Sequence, residues 1–183
     1  KYGINPDLAM FGKALGNGYA ITAVIGNEAV MDAVQKTFIS STFWTERIGP
    51  TAALKTLEVM QKVRSWETIT SLGKKIKSNW QKLADYYEIQ IVQNGIPALA
   101  NFSFKSKNNL YYKTYITQEM LKLGYLAGNS IYVSTSHTEK IIDRYFDKLN
   151  SLFEEIKKCE DEKKDIRKLL LGKVCHETFR RLN

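Results

Sequence analysis

The chain has 183 residues, 44% of them hydrophobic and 25% charged, the balance of a globular protein and not of a disordered one. No apolar run approaches the roughly 18 residues that cross a bilayer, which argues against a transmembrane helix. The 27 basic and 19 acidic residues leave a formal charge of +8, but they interleave, as in KKCEDEKKDIRK (157–168), and read as solvated helix faces, with no nucleic-acid partner.

The two cysteines, Cys159 and Cys175, lack the CxxC spacing of a zinc framework and read as reduced packing residues of a cytoplasmic protein. The opening Lys1-Tyr2-Gly3 has neither a methionine nor the apolar stretch of a signal peptide, as expected of a processed chain or a fragment.

LAMF (8–11) and ITAVIG (21–26) are short, apolar and partly β-branched, and predict buried strands. Asn27 predicts an N-cap for a helix over EAVMDAVQKT (28–37). Pro50 suits the first turn of a helix running to about Arg64, with Leu54, Leu57 and Met60 along one side. The next helix begins near Trp66, where Ile69, Leu72, Ile76, Trp80, Leu83 and Tyr87 recur at spacings of three and four.

EIQIVQNG (88–95) and LANFSFKS (99–106) alternate as half-buried strands, and their short connection with Gly95 and Pro97 favours antiparallel pairing. A helix over about Leu110–Leu123 stops at Gly124, and IYVS (131–134) predicts a third strand. Ser136-His137-Thr138-Glu139 has the S-x-x-E form of a capping box and opens a long helix carrying Ile142, Tyr145, Phe146, Leu149, Phe153 and Ile156.

One charge sits where a charge is not expected. In FGKALGNGYA (11–20), Lys13 stands between an apolar strand and a glycine-rich loop. A phosphate-binding Walker loop needs G-x-x-x-x-G-K-[ST], but Ala14 follows Lys13 and Asp7 holds the first glycine position. Gly12, Gly16 and Gly18 also lack the spacing of a dinucleotide fingerprint. An ordinary turn lysine and a reactive amine remain, the latter because a desolvated lysine is nucleophilic enough to form a Schiff base.

The surrounding residues carry a resemblance. YGINPDLAMFGKALGNGYAITAVIG (2–26) resembles the lysine segment of the class III aminotransferases, pyridoxal-phosphate enzymes of fold type I. SSTFWTERIGPTAALKTLE (40–58) resembles the stretch that follows it, and YLAGNSIYVSTSHTEKIIDRYFDKL (125–149) and DIRKLLLGKVCHETFRRLN (165–183) resemble a glutamate-1-semialdehyde aminomutase-like subgroup.

The resemblance implies an α/β plus α+β fold. Residues 1–64 correspond to the C-terminal end of the large cofactor-binding domain with its connecting helix. Residues 65–183 correspond to a small α+β domain with a short antiparallel sheet covered by helices. It implies pyridoxal 5′-phosphate as cofactor, held by Lys13 as an internal aldimine, with Ser41 and Thr42 binding the phosphate of a neighbouring subunit in a homodimer. The freed lysine then moves a proton between substrate carbon and cofactor, so that a small-molecule amino donor passes its amino group to a carbonyl acceptor. An aminomutase runs both halves of this chemistry on one carbon skeleton.

The loop before Pro50 is longer than in the common version of the family, which leaves Trp44, Thr45 and Glu46 without assigned positions. The family's ring-stacking aromatic, its aspartate on the pyridine nitrogen and its phosphate turn precede the lysine. Asp7 matches a Pro-Asp pair and not that aspartate. The chain is therefore expected to be the C-terminal part of a longer enzyme, inactive alone.

His137 and His176 lack partners at metal-ligand spacing and read as cap or surface residues, so no metal is expected. Asn129 and Ser130 read as loop residues first and substrate contacts second. The rival is a non-catalytic, basic nucleic-acid-binding remnant in which Tyr111, Tyr112 and Tyr115 stack on bases beside Lys113.

Overall fold

The computed structural model describes residues 3–39 and 42–177, and the chain divides into two units, Lys1–Arg64 and Ser65–Asn183.

In the first unit β1 (Leu8–Phe11) pairs antiparallel with β2 (Ala23–Gly26), Leu8 opposite Gly26 and Phe11 opposite Ala23. α1 (Glu28–Val34) follows directly, and Asn27 caps it by accepting from the Val30 amide at 3.0 Å. α2 (Ile48–Val63) ends at Arg64, whose φ of 47° breaks the helical path.

Two expectations fail in this unit. The strands are not buried: Leu8, Phe11, Val24 and Ile25 are all about half exposed. A two-stranded hairpin covers neither of its own faces, however apolar both are. On α2 the protected stripe is Gly49, Ala53, Thr56 and Met60, while Leu54 and Leu57 face solvent. Size misled here, because the close-packed side of α2 is its small-residue side.

The second unit holds the core. α3 (Ser65–Tyr86), α4 (Asn109–Lys122) and α5 (Glu139–Glu160) cover an antiparallel sheet of order β3-β4-β5, formed by Ile91–Asn94, Leu99–Phe104 and Ser130–Tyr132. Along β4 burial alternates strictly, with Ala100, Phe102 and Phe104 inside, because successive residues point to opposite faces of a sheet.

α3 buries Leu72, Ile76 and Trp80 along the expected stripe, and α5 buries Ile142, Tyr145, Leu149, Phe153 and Ile156. Trp80, Phe102, Phe104, Tyr112 and Phe153 form a continuous aromatic cluster, with ring centroids 4.7 Å apart for Trp80–Phe102 and 5.3 Å for Phe104–Tyr112. At its edge the Trp80 indole donates to the Tyr145 hydroxyl at 3.1 Å, which satisfies an otherwise buried donor.

The capping box is also corrected. Thr138 caps α5, its hydroxyl accepting from the Ile141 amide at 3.3 Å, and Ser136 lies outside the helix. The preceding turn is closed by His137, whose Nδ1 accepts from the Ser134 amide at 3.1 Å. That bond places the imidazole proton on Nε2 and gives His137 a structural role.

Candidate functional site

Lys13 begins a single 3-10 turn (Lys13–Leu15) immediately after β1. Its φ of 48° lies in the left-handed region that a residue with a Cβ adopts only under constraint. The constraint is the loop's own hydrogen bonding. Gly16 and Asn17 both donate to the Lys13 carbonyl, at 3.2 and 3.1 Å, and Leu15 and Tyr19 close further turns. A Cβ on Gly16 would stand 2.1 Å from the Tyr19 carbonyl oxygen, so this winding is possible only with glycine there.

The side chain that this strain presents is exposed and has no hydrogen-bond or ion-pair partner among the described residues. It lines a cavity of about 520 Å³ with Tyr19, Ile21, Thr22, Phe43, Glu46 and Pro50. Phe43, Ile21 and Pro50 supply apolar walls, and the hydroxyls and the carboxylate supply a few polar groups, the composition of a small-molecule site.

Glu46, which sequence reasoning left unplaced, anchors one wall. Its carboxylate accepts from the Ile48 amide and, at 3.0 Å, from the Gly49 amide, so it caps the first turn of α2. That turn packs tightly on the segment leading into β2, since a Cβ on Gly49 would be 2.7 Å from the Ala20 carbonyl oxygen. The sequence signal was an acid two residues before a helix with an interior proline, but longer-range capping of this kind has no fixed spacing.

Thr42 is exposed in the turn before Glu46 and does not line the cavity, although its neighbour Phe43 does. Ser41 lies outside the described residues. Asp7 is occupied elsewhere: its carboxylate accepts from the Asn27 side-chain amide at 2.9 Å and its carbonyl from the Asn27 backbone at 3.1 Å. The pair joins the start of β1 to the cap of α1.

A larger cavity of about 740 Å³ in the second unit, bordered by Ser106, Glu160, Asp165 and Arg167, is a weaker candidate. Its Glu160, Asp165 and Arg167 are already engaged: Glu160 accepts from Ser106 at 2.7 Å and from Tyr112 at 2.5 Å, and Arg167 pairs with Asp165 at 3.0 Å. Asn129 pairs with Phe102 in the manner of a sheet neighbour, at 2.7 and 3.0 Å, a framework role.

Tyr112 and Tyr115 are buried and Tyr111 is half-buried, so two of the three tyrosines that the nucleic-acid rival stacks on bases are withdrawn from solvent. Lys157 and Lys158 on α5, and Lys163 and Lys164 beyond its end, are each paired with a neighbouring carboxylate. Among the described residues no three His, Cys, Asp or Glu side chains converge as a metal site, and no helix is long and apolar enough to cross a membrane.

The chain has the fold of solved pyridoxal-phosphate transaminases. The internal-aldimine structure of the FumI protein from Sphingopyxis sp. MTA144 superposes with a TM-score of 0.77 over 92% of this chain and 41% of its own, at 21% identity. An S-selective transaminase from Arthrobacter sp. superposes with a TM-score of 0.73 over 87% of this chain and 40% of its own, at 20% identity.

The chain belongs to the class-III aminotransferase family, which it matches over residues 1–166. It is 33% identical over 123 residues to 3-aminobutyryl-CoA aminotransferase of Cloacimonas acidaminovorans, covering 67% of this chain and 30% of that protein. It is 24% identical over 175 residues to glutamate-1-semialdehyde 2,1-aminomutase of Hyperthermus butylicus, covering 85% of this chain and 41% of that protein. The chain thus spans well under half the length of these curated relatives.

Proposed function

We propose that this chain carries the reactive lysine of an enzyme that uses pyridoxal 5′-phosphate to move an amino group from a small amine or amino acid to a keto or aldehyde acceptor. The observation that supports this most is Lys13 itself, a free amine held in a strained turn at the wall of an apolar-sided cavity. The residues present suit a flat aromatic aldehyde: an amine to bond it, and Phe43, Ile21 and Pro50 to flank its ring.

When bound, the cofactor supplies the electron sink for cleavage beside the substrate nitrogen. The protein supplies the rest. Lys13 Nζ would hold the cofactor, and the same amine would take and return the proton at the substrate carbon. Glu46 fixes the α2 wall through the Ile48 and Gly49 amides.

In this reading residues 1–64 end the large domain and residues 65–183 form the small one. Ser41 and Thr42 hold the phosphate in a neighbouring subunit, which makes the enzyme a homodimer with shared sites. Two free cysteines fit a cytoplasmic setting. The aminomutase relative favours a second reading, transfer within one carbon skeleton.

The test uses the intact enzyme that contains this segment. Lys13→Arg lowers amino transfer by about a hundredfold or more, and unimpaired turnover overturns the proposal. Amino transfer without any added second carbonyl compound selects the aminomutase reading; an absolute need for one selects the transaminase.

A further inference from the structure

The family match ends at residue 166, and the residues that follow run along α4. Asp165 caps a short 3-10 turn, Ile166–Leu169, and Ile166, Leu169 and Leu170 pack on the core of the second unit. Beyond Leu170 the hold changes character. Leu171 is 79% exposed, and Gly172 and Lys173 are exposed as well.

What holds this stretch is a row of α4 side chains gripping its main chain. The Gln118 carboxamide donates from Nε2 to the Leu169 carbonyl at 2.9 Å and accepts at Oε1 from the Leu171 amide at 2.7 Å. One side chain thus pairs with two backbone groups as an adjacent β-strand would. These two partners also settle which end of the amide is nitrogen.

One turn earlier, the Thr114 hydroxyl donates to the Leu110 carbonyl at 2.7 Å and accepts from the Cys175 amide at 3.0 Å. The Cys175 thiol then rests 3.7 Å from the same Leu110 carbonyl. Leu110, Thr114 and Gln118 fall at spacings of four, a single stripe on α4. The opposite side of α4 carries the buried Tyr112, Ile116 and Met120.

We propose that residues 171–177 form a detachable strap, latched to α4 by Gln118 and Thr114, that opens and closes while the core of the second unit stays folded. The core bonds and the strap bonds share no residues beyond the anchor at Leu169 and Leu170. A segment with few buried apolar contacts opens at a lower free energy than the unit as a whole. Opening bares the Leu110–Thr114–Gln118 stripe and frees the Cys175 thiol.

The two cysteines report on this directly. Cys175 lies on the strap, and Cys159 is buried in α5, where burial pushes its thiol above the usual range. The intact enzyme that contains this segment is treated under native conditions with an aromatic disulfide reagent, and the rates at Cys159 and Cys175 are read by peptide mass. Cys175 reacts faster than Cys159.

Gln118→Ala raises the Cys175 rate roughly ten- to a hundredfold, as expected for the loss of both hydrogen bonds, whereas Gln118→Glu, whose carboxylate still accepts from the Leu171 amide but cannot donate to the Leu169 carbonyl, raises it less. Thr114→Val raises it less. In all three the Cys159 rate and the far-ultraviolet circular dichroism stay unchanged. Lys173→Ala, outside these contacts, leaves both rates as they are. A Cys175 rate indifferent to Gln118, or one that always moves in step with Cys159, overturns the proposal.

Discussion

Replacing Gly73 with alanine puts the packing of the second unit to a test in which local and tertiary effects have opposite signs. Gly73 lies in the interior of α3, where alanine is favoured over glycine by about 1 kcal/mol of helix propensity. In the folded unit, however, a Cβ at position 73 would stand 1.9 Å from the Pro97 carbonyl oxygen and 2.4 Å from its carbon. These are backbone atoms, so no rotamer change relieves the clash.

The connection between β3 and β4 must move by about an ångström. That connection is pinned by the Leu99 amide on the Ile96 carbonyl at 2.9 Å and by the Lys77 ammonium on the Asn94 and Gly95 carbonyls at 3.1 and 3.0 Å. Overpacking of this kind costs about 1–3 kcal/mol, and a backbone partner places it at the upper end. Against the propensity gain, the net expectation is a loss of about 2 kcal/mol. Urea unfolding followed by far-ultraviolet circular dichroism measures it. A Gly73→Ala variant as stable as the parent, or more so, refutes the close approach of α3 to Pro97.

Two other predictions concern capping and pH. Glu46→Ala frees the Ile48 and Gly49 amides and costs roughly 0.5–2 kcal/mol of local stability, read as faster hydrogen exchange at Gly49 and not at the α3 amides. In the second unit, burial pushes the Tyr115 hydroxyl up to about 12 and raises Tyr112 and Tyr145 further. The unfolded chain ionises these groups near the ordinary tyrosine value of about 10. Their contribution is therefore intact below that pH and is lost as pH climbs toward the folded values. Unfolding free energy should fall steadily above about pH 10, with tyrosinate absorbance lagging behind that of free tyrosine; a flat profile to pH 12 contradicts the burial.

Much of the second unit was legible because its helices carry wide apolar stripes. The Ile69–Leu83 series on α3 and the Ile142–Ile156 series on α5 pack where their spacing placed them. The failures share a cause: they depend on which layer lies opposite. Leu54 and Leu57 on α2 are apolar yet exposed, and β1 and β2 have apolar faces that a hairpin alone cannot cover. At α5 the S-x-x-E pattern points to Ser136, but the turn closed by His137 leaves Thr138 as the cap.

At the site, the motif around Lys13 was readable, but its strained φ and its cavity emerge only from the folded loop. Glu46 was invisible as a cap because its reach depends on the tightness of the turn before α2. Gln118 gave no signal at all, since a clamp on main-chain atoms leaves no pattern in the side chains it holds.

The central claim is that one amine, Lys13 Nζ, is the covalent anchor for pyridoxal 5′-phosphate. Borohydride reduction of the intact enzyme with cofactor present, followed by peptide mapping, tests it most directly. A pyridoxyl group fixed on Lys13, and absent from the Lys13→Arg variant, is the predicted result. A reduced adduct on another lysine, with position 13 unmodified, would contradict it.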